Sequence, residues 1–291
     1  MADTSAEADI RGLNIDKLAK GFAEEQLLMK NFCRVSNTAA REIRWFSKTS
    51  GFLDSTDTTA ITASQIKNTS FKARPVVIEQ SWTRNTSYVQ KFFVESPMIS
   101  IEDIKDCDID VLATNVRDIV RAVGYQVDIA IYDAITDNAN RQTGAAIADG
   151  WDDTATGDPI KDILTMKQAI RAYGYNPEGA ILLMNSIEHR NLITFLINVK
   201  GSSIPQFASE KVQTGVVMNL LGVNIVVSEI ATTDEAVMFI PQVSCTWKSF
   251  SPITTAVIDE PGIGKKVRVW EEGIPIVTDP KSIYLLTNTV V

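Results

Sequence analysis

"DVLATNVRDIVRAVGYQVDIAIYDAIT", Asp110 to Thr136, carries the most regular pattern in the chain. Leu112, Val116, Ile119, Val120, Val123, Val127, Ala130, Ile131 and Ala134 step by four, three, one, three, four, three, one and three residues. Such steps line apolar side chains along one stripe of a helix. The spacing predicts a single amphipathic helix, about 40 Å long at 1.5 Å per residue. Gly124 lowers helix propensity there by about 1 kcal/mol relative to alanine, which points to a close packing contact. Asp106, Asp108 and Asp110 precede the stripe with D-x-D-x-D spacing. A calcium loop would then need glycine at Val111 and a carboxylate at Arg117; both fail. These acids are read instead as favouring the positive end of the helix.

Downstream, "AYGYNPEGAILLMNSIEHRNLI" (Ala172 to Ile193) holds the only histidine, His189. Ala180 to Met184 is a short apolar run behind Pro177-Glu178-Gly179, which reads as a buried strand. Asn185 then suits a helix N-cap, with Glu188 three residues on to complete a capping box. Ile187, Leu192, Ile193, Leu196 and Ile197 give the next helix its apolar side. Ser186 and His189 raise the possibility of an α/β hydrolase, but a catalytic serine needs a base oriented by a third group. The glycine-flanked nucleophile elbow is missing as well, so capping is the preferred reading.

The surrounding text is mixed α and β. Pro159 to Tyr173 reads as a helix, and Val223 to Val227 and Ala236 to Ile240 as strands. From Ser251 the pattern is β: Ile253 to Ile258, Val267 to Trp270, then Ile283 to Leu286. Gly262-Ile263-Gly264-Lys265 lacks the spacing of a phosphate loop and joins two strands, so it reads as a hairpin connection. Ser87 to Val94 reads as one strand. Ile15 to Val35 shows an imperfect helical pattern behind a polar, acidic start. Thr49 to Ser87 is rich in Ser and Thr and too long for an ordinary connection, which suggests an extended two-stranded projection.

Totals narrow the function classes. The chain has 291 residues, 45% of them apolar, enough for a substantial core. A net charge of −8 argues against broad binding to nucleic acid phosphates. Three scattered cysteines and one histidine offer neither a disulfide framework nor a zinc site, so no metal or cofactor is expected. The first ten residues do not read as a signal peptide, and no uncharged run of 18 apolar residues predicts a membrane span. Glu271 and Glu272 are strand neighbours whose side chains point to opposite faces, so they cannot share a substrate. No catalytic residues are assigned.

What remains is a layout, and three stretches of it carry a resemblance. "KFFVESPMISIEDIKDCDIDVLATNVRDIVRAVGYQVDIAIYDAITD" (Lys91 to Asp137), "IRAYGYNPEGAILLMNSIEHRNLITFL" (Ile170 to Leu196) and "LLGVNIVVSEIATTDEAVMFIP" (Leu220 to Pro241) together resemble the major capsid proteins of tailed phages and related viruses. The match rests on element order over about two-thirds of the chain, since this family has no short diagnostic motif. The resemblance implies an α+β Hong Kong 97-type fold. It would have an N-terminal arm (1–43), an extended loop (44–90), a peripheral domain with its spine helix (91–140 and 250–291) and an axial domain (141–249). It further implies a coat protein forming hexamers and pentamers of an icosahedral shell around double-stranded DNA, in a virion assembled in the host cytoplasm. Portal and possible scaffolding or decoration proteins would be its partners, and no membrane is involved. An encapsulin-type compartment shares the fold and is the runner-up; the polar stretch before Ile15 favours the virus. Phe52, Leu53, Ile61, Ile66, Phe71, Arg74 and Trp82 would be exposed in a monomer and are the expected contacts between subunits.

Overall fold

The computed structural model describes residues 28–48, 70–74, 82–106, 111–144, 147, 149–153, 155–198 and 219–290. Along the chain these form α1 (Leu28–Phe32), β1 (Arg34–Asn37), β2 (Glu42–Lys48), β3 (Trp82–Tyr88), β4 (Gln90–Glu95) and β5 (Ile99–Ser100). Then come α2 (Ile101–Asp106), α3 (Val111–Thr136), β6 (Gln142–Thr143), α4 (Pro159–Ala172), β7 (Ile181–Met184) and α5 (Ser186–Asn198). The remainder is β: β8 (Asn219–Leu220), β9 (Val223–Val227), β10 (Glu235–Phe239), β11 (Cys245–Glu260), β12 (Gly264–Val277) and β13 (Ile283–Thr287).

Helix α3 is the expected long helix, 26 residues in one piece. Its stripe is what makes it so: Val116, Val120, Val123, Val127, Ile131 and Ile135 are all buried. Helix α4 starts where Pro159 fits the first turn and Asp158 accepts the N–H of Lys161, and it buries Ile163, Met166 and Ile170.

Two compact units emerge. The first gathers the described residues of Met1–Ile43, Thr86–Ile131 and Thr246–Ile276. Its sheet runs β1-β11-β12-β4, with β5 also on β12. The β11–β12 hairpin turns at Gly262, whose φ of 81° suits a residue without Cβ. Strand β4 places Phe92 6.3 Å from Trp247 and Phe93 6.3 Å from Trp270, one aromatic for each face of the sheet.

The second unit gathers the described residues of Arg44–Asn85, Tyr132–Cys245 and Val277–Val291. Its six-stranded sheet has the order β6-β13-β10-β7-β9-β8. The central strands Ile181–Met184 are buried on both faces, as a run of four apolar residues requires. Trp151, Met166, Leu182, Met184, Leu192, Val223 and Met238 make up the heart of its core.

Four local expectations are corrected. The text from Ser87 to Val94 is two strands, broken at Val89, with β3 paired to β2 and β4 to β12. The amphipathic pattern up to Val35 ends as helix at Phe32, and Arg34–Asn37 pairs in parallel with β11. A short helix, α2, fills the acidic stretch before α3. Finally, β13 does not join the sheet of β11 and β12. Its buried Ile283, Leu285 and Leu286 insert between β10 and β6 in the six-stranded sheet. No helix among the described residues is long and apolar enough to cross a membrane.

Candidate interaction surface

The serine and histidine are settled by their partners. Asn185 Oδ1 accepts the N–H of Ile187 at 3.3 Å, so Asn185 caps α5. The Ser186 hydroxyl donates to the same oxygen at 3.2 Å, and its own acceptor lies in the cap. His189 Nε2 has no hydrogen-bond partner, and burial pushes the imidazole below its ordinary value. Among the described residues no third group orients it, so the pair has the geometry of a helix start. The expected capping box does not form. Glu188 turns away and accepts the N–H of Asp234 at 2.7 Å, fully buried. Thr289 Oγ1 lies 3.5 Å from the same oxygen, and Asp234 in turn accepts the N–H of Val290 at 2.9 Å. Both carboxylates therefore fasten the segment after β13. Asp106 is described, whereas Asp108 and Asp110 lie outside the described residues. No group of three or more His, Cys, Asp or Glu among the described residues could hold a metal ion.

A polar constellation that sequence reading missed lies in the first unit. Asp128, on α3, is buried, and its carboxylate accepts the N–H groups of Leu28 at 2.9 Å and Met29 at 3.2 Å. Burial, the largest influence, pushes Asp128 up to about 6 despite those N–H groups and the nearby Lys30 charge. Lys30 itself pairs with Glu271 of β12, which is fully buried, and sits 5.7 Å from the ring centroid of Trp247. Glu272 points to the other face, 3.4 Å from Arg41 and 3.6 Å from Lys91. The two glutamates thus have separate partners, as their alternation on the strand requires. Leu28 to Lys30 is pinned at once to the long helix and to the sheet.

Strands β2 and β3 form a separate two-stranded ribbon. It begins where Val89 N–H donates to Arg41 C=O at 2.9 Å. A two-stranded ribbon alone is marginal in water, because it has little apolar face to bury. Here its aromatic residues are exposed: Phe46 by 60%, Trp82 by 55% and Tyr88 by 67%. Of the expected contact residues, Trp82 lies on this ribbon, and Phe71 and Arg74 are exposed in a turn closed by Ala73 N–H to Ser70 C=O. Phe52, Leu53, Ile61 and Ile66 lie outside the described residues. Phe46 and Tyr88 belong with Trp82 and went unnoticed, although aromatic residues set among charged ones in an unpaired strand were the signal.

Comparison with known proteins gives this arrangement its context. A family model described as phage capsid protein matches residues 98–286. No curated protein matches the chain in sequence. Among solved structures, the chain is similar to a virus-like particle from Pyrococcus furiosus, at 10% identity over 94% of this chain and 97% of that one, with a TM-score of 0.62. It is similar to Mycobacterium phage Che8, at 15% identity over 91% and 93%, with a TM-score of 0.62. It is also similar to the capsid of cyanophage P-SCSP1u, at 12% identity over 90% and 88%, with a TM-score of 0.64. Identities this low speak for the fold, which is the α+β Hong Kong 97-type capsid fold. The family match covers well over half of the chain, and with it α3, α4, α5 and every strand from β5 to β12: the chain belongs to the phage capsid protein family and is a capsid shell protein.

Proposed function

We propose that the chain is a major capsid protein whose copies assemble, as hexamers and pentamers, into an icosahedral shell around a double-stranded DNA genome. The observation that carries this reading is the β2–β3 ribbon, whose exposed aromatic residues have no partner surface described within their own chain. Exposed apolar groups on that scale mark association surfaces. Contacts between unlike faces of identical chains close into rings, and rings packed together close a shell. In this reading residues 1–43 are an arm and 44–90 an extended loop. Residues 91–140 and most of 250–291 form a peripheral domain, and 141–249 with β13 form an axial one. Phe52, Leu53, Ile61, Ile66, Phe71, Arg74 and Trp82 would meet neighbouring copies. The work of such a protein is structural, in the virion, with a portal and any scaffolding or decoration proteins as further partners.

The test is direct. Purified protein should sediment as capsomers or shells, and closed particles should be visible by negative-stain electron microscopy. A monodisperse 32 kDa species at all salt and protein concentrations sinks the proposal. Replacing Thr56 to Ala73 by a short Gly-Ser turn should abolish closed particles while the far-ultraviolet spectrum stays near that of the parent. The similarity to a virus-like particle keeps an encapsulin-type compartment as a second reading of the same fold. The match to the phage capsid family favours the virus.

A further inference from the structure

Helix α1 is held by its neighbours and not by itself. It has five residues, fewer than a helix needs to persist alone in water. Its first turn stays in place through three anchors. Met29 is fully buried, Asp128 of α3 accepts the N–H groups of Leu28 and Met29, and Glu271 of β12 holds Lys30. Two of these anchors are carboxylates in a dry site. Beside Lys30, the second oxygen of Glu271 and the indole N–H of Trp247 are buried with no hydrogen-bond partner among the described residues. Lifting Leu28–Lys30 would let water reach both of them and Asp128 together. One apolar anchor above unsatisfied polar groups marks a segment that opens locally, ahead of the rest of its unit.

We propose that Leu28–Lys30 is a proton-operated strap, which lies closed on α3 while Asp128 is protonated and is released when Asp128 ionises. In the closed strap burial holds the Asp128 carboxyl at about 6, outweighing the N–H groups and the Lys30 charge, whereas its ordinary value is 3.8. The closed state therefore binds the proton more tightly than the open one. Closing is favoured below 6 and loses that support as pH rises through 6. Lys30 faces the site from α1, with Glu271 of β12 behind it. On α3 itself no other charged residue lies between Arg121 and Asp133, only the phenols of Tyr125 and Tyr132. Release frees the six residues from Leu28 to Cys33 ahead of β1, while β1 stays paired to β11. Fully extended, those residues span about 20 Å. The proton thus sets how far from the sheet the chain ahead of β1 is tethered.

Hydrogen exchange on the unassembled full chain tests this, read at single amides by mass spectrometry from about pH 5 to about pH 8 and corrected for intrinsic exchange. The N–H groups of Leu28 and Met29 point at Asp128, so their protection reports the strap itself. They should exchange well ahead of the amides of Val127 and Ile131, which sit in the buried stripe of α3 and need wider unfolding. Their protection should fall about tenfold across that pH range, the ratio expected of a group at about 6 when closed and 3.8 when open. In Asp128→Asn the protection should be flat over the same range. The parent's own profile is a complete test even where the variant folds poorly. Three results each overturn the proposal. The strap amides could exchange as slowly as those of Val127 and Ile131. Protection in the parent could stay level or rise with pH. A folded Asp128→Asn could keep the pH dependence of the parent.

Discussion

Lys30→Met should expose how the chain's beginning is fastened. The methionine keeps most of the apolar stem and deletes the ammonium, leaving Glu271 fully buried without its cation. The other carboxylate oxygen of Glu271 has no hydrogen-bond partner to fall back on. Removing one member of a buried pair typically costs about 3–5 kcal/mol. The variant should therefore lose about 3–5 kcal/mol of stability. Urea unfolding of unassembled protein, followed by tryptophan fluorescence, reads this directly, because buried Trp247 lies beside Lys30. A loss below about 1 kcal/mol would refute the reasoning.

Asp128 gives a second pH signature. Its folded value of about 6 lies above its ordinary 3.8, so the folded state holds the proton more tightly. Stability should rise as pH falls from above 6 towards 4, by up to about 3 kcal/mol, and be lost again as pH rises through 6; in Asp128→Asn that dependence should flatten in urea titrations. Asn185→Ala should cost about 2 kcal/mol, since it removes both the cap on Ile187 N–H and the bond to Ala231 C=O, whereas Ser186→Ala should stay within about 0.5 kcal/mol. If Ser186→Ala proves the costlier of the two in thermal unfolding, the cap is misassigned. At Gly273 an added Cβ would lie 2.3 Å from the indole of Trp247 and 3.0 Å from Lys248 C=O. Gly273→Ala should therefore destabilise by about 1–3 kcal/mol, with a shift in the Trp247 emission that a mere loss of backbone freedom would not produce.

The long helix was readable because its period, its length and its burial all say the same thing. The strand Ile181–Met184 and the β11–β12 turn were legible for a similar reason, since each is bounded by its own turn chemistry. Val89 hid because β3 and β4 both alternate, so a change of partner leaves no mark on the pattern. Sheet membership of β13 was equally hidden: Ile283 to Leu286 is apolar enough to fit either sheet, and only its partners decide. Lys30 and Glu271 stand 241 residues apart, and Asp128 reaches back a hundred to Leu28. Distances like these are written in the fold and not in local spacing. One hint existed, a charged residue directly after Val127 on the most apolar stripe in the chain.

The six-stranded sheet is stitched from stretches made at very different times during synthesis. Strand β10 lies between β7 and β13 and is antiparallel to both. Ribosomes release β7 and β10 long before Ile283–Thr287, so the nascent sheet waits with one side of Ala236–Phe239 open. Those four residues are buried and apolar in the finished protein, and an open apolar edge is a template for pairing with any other chain nearby. On a polysome, the nearest other chains are copies at the same stage. Strand β1 faces the mirror problem, since its partner β11 emerges some two hundred residues later. Pairings of such long range are slow to form. Crowded production is therefore where this molecule is most exposed to error, and lowering translation rate or temperature should raise the yield of soluble subunit more than any change to its surface.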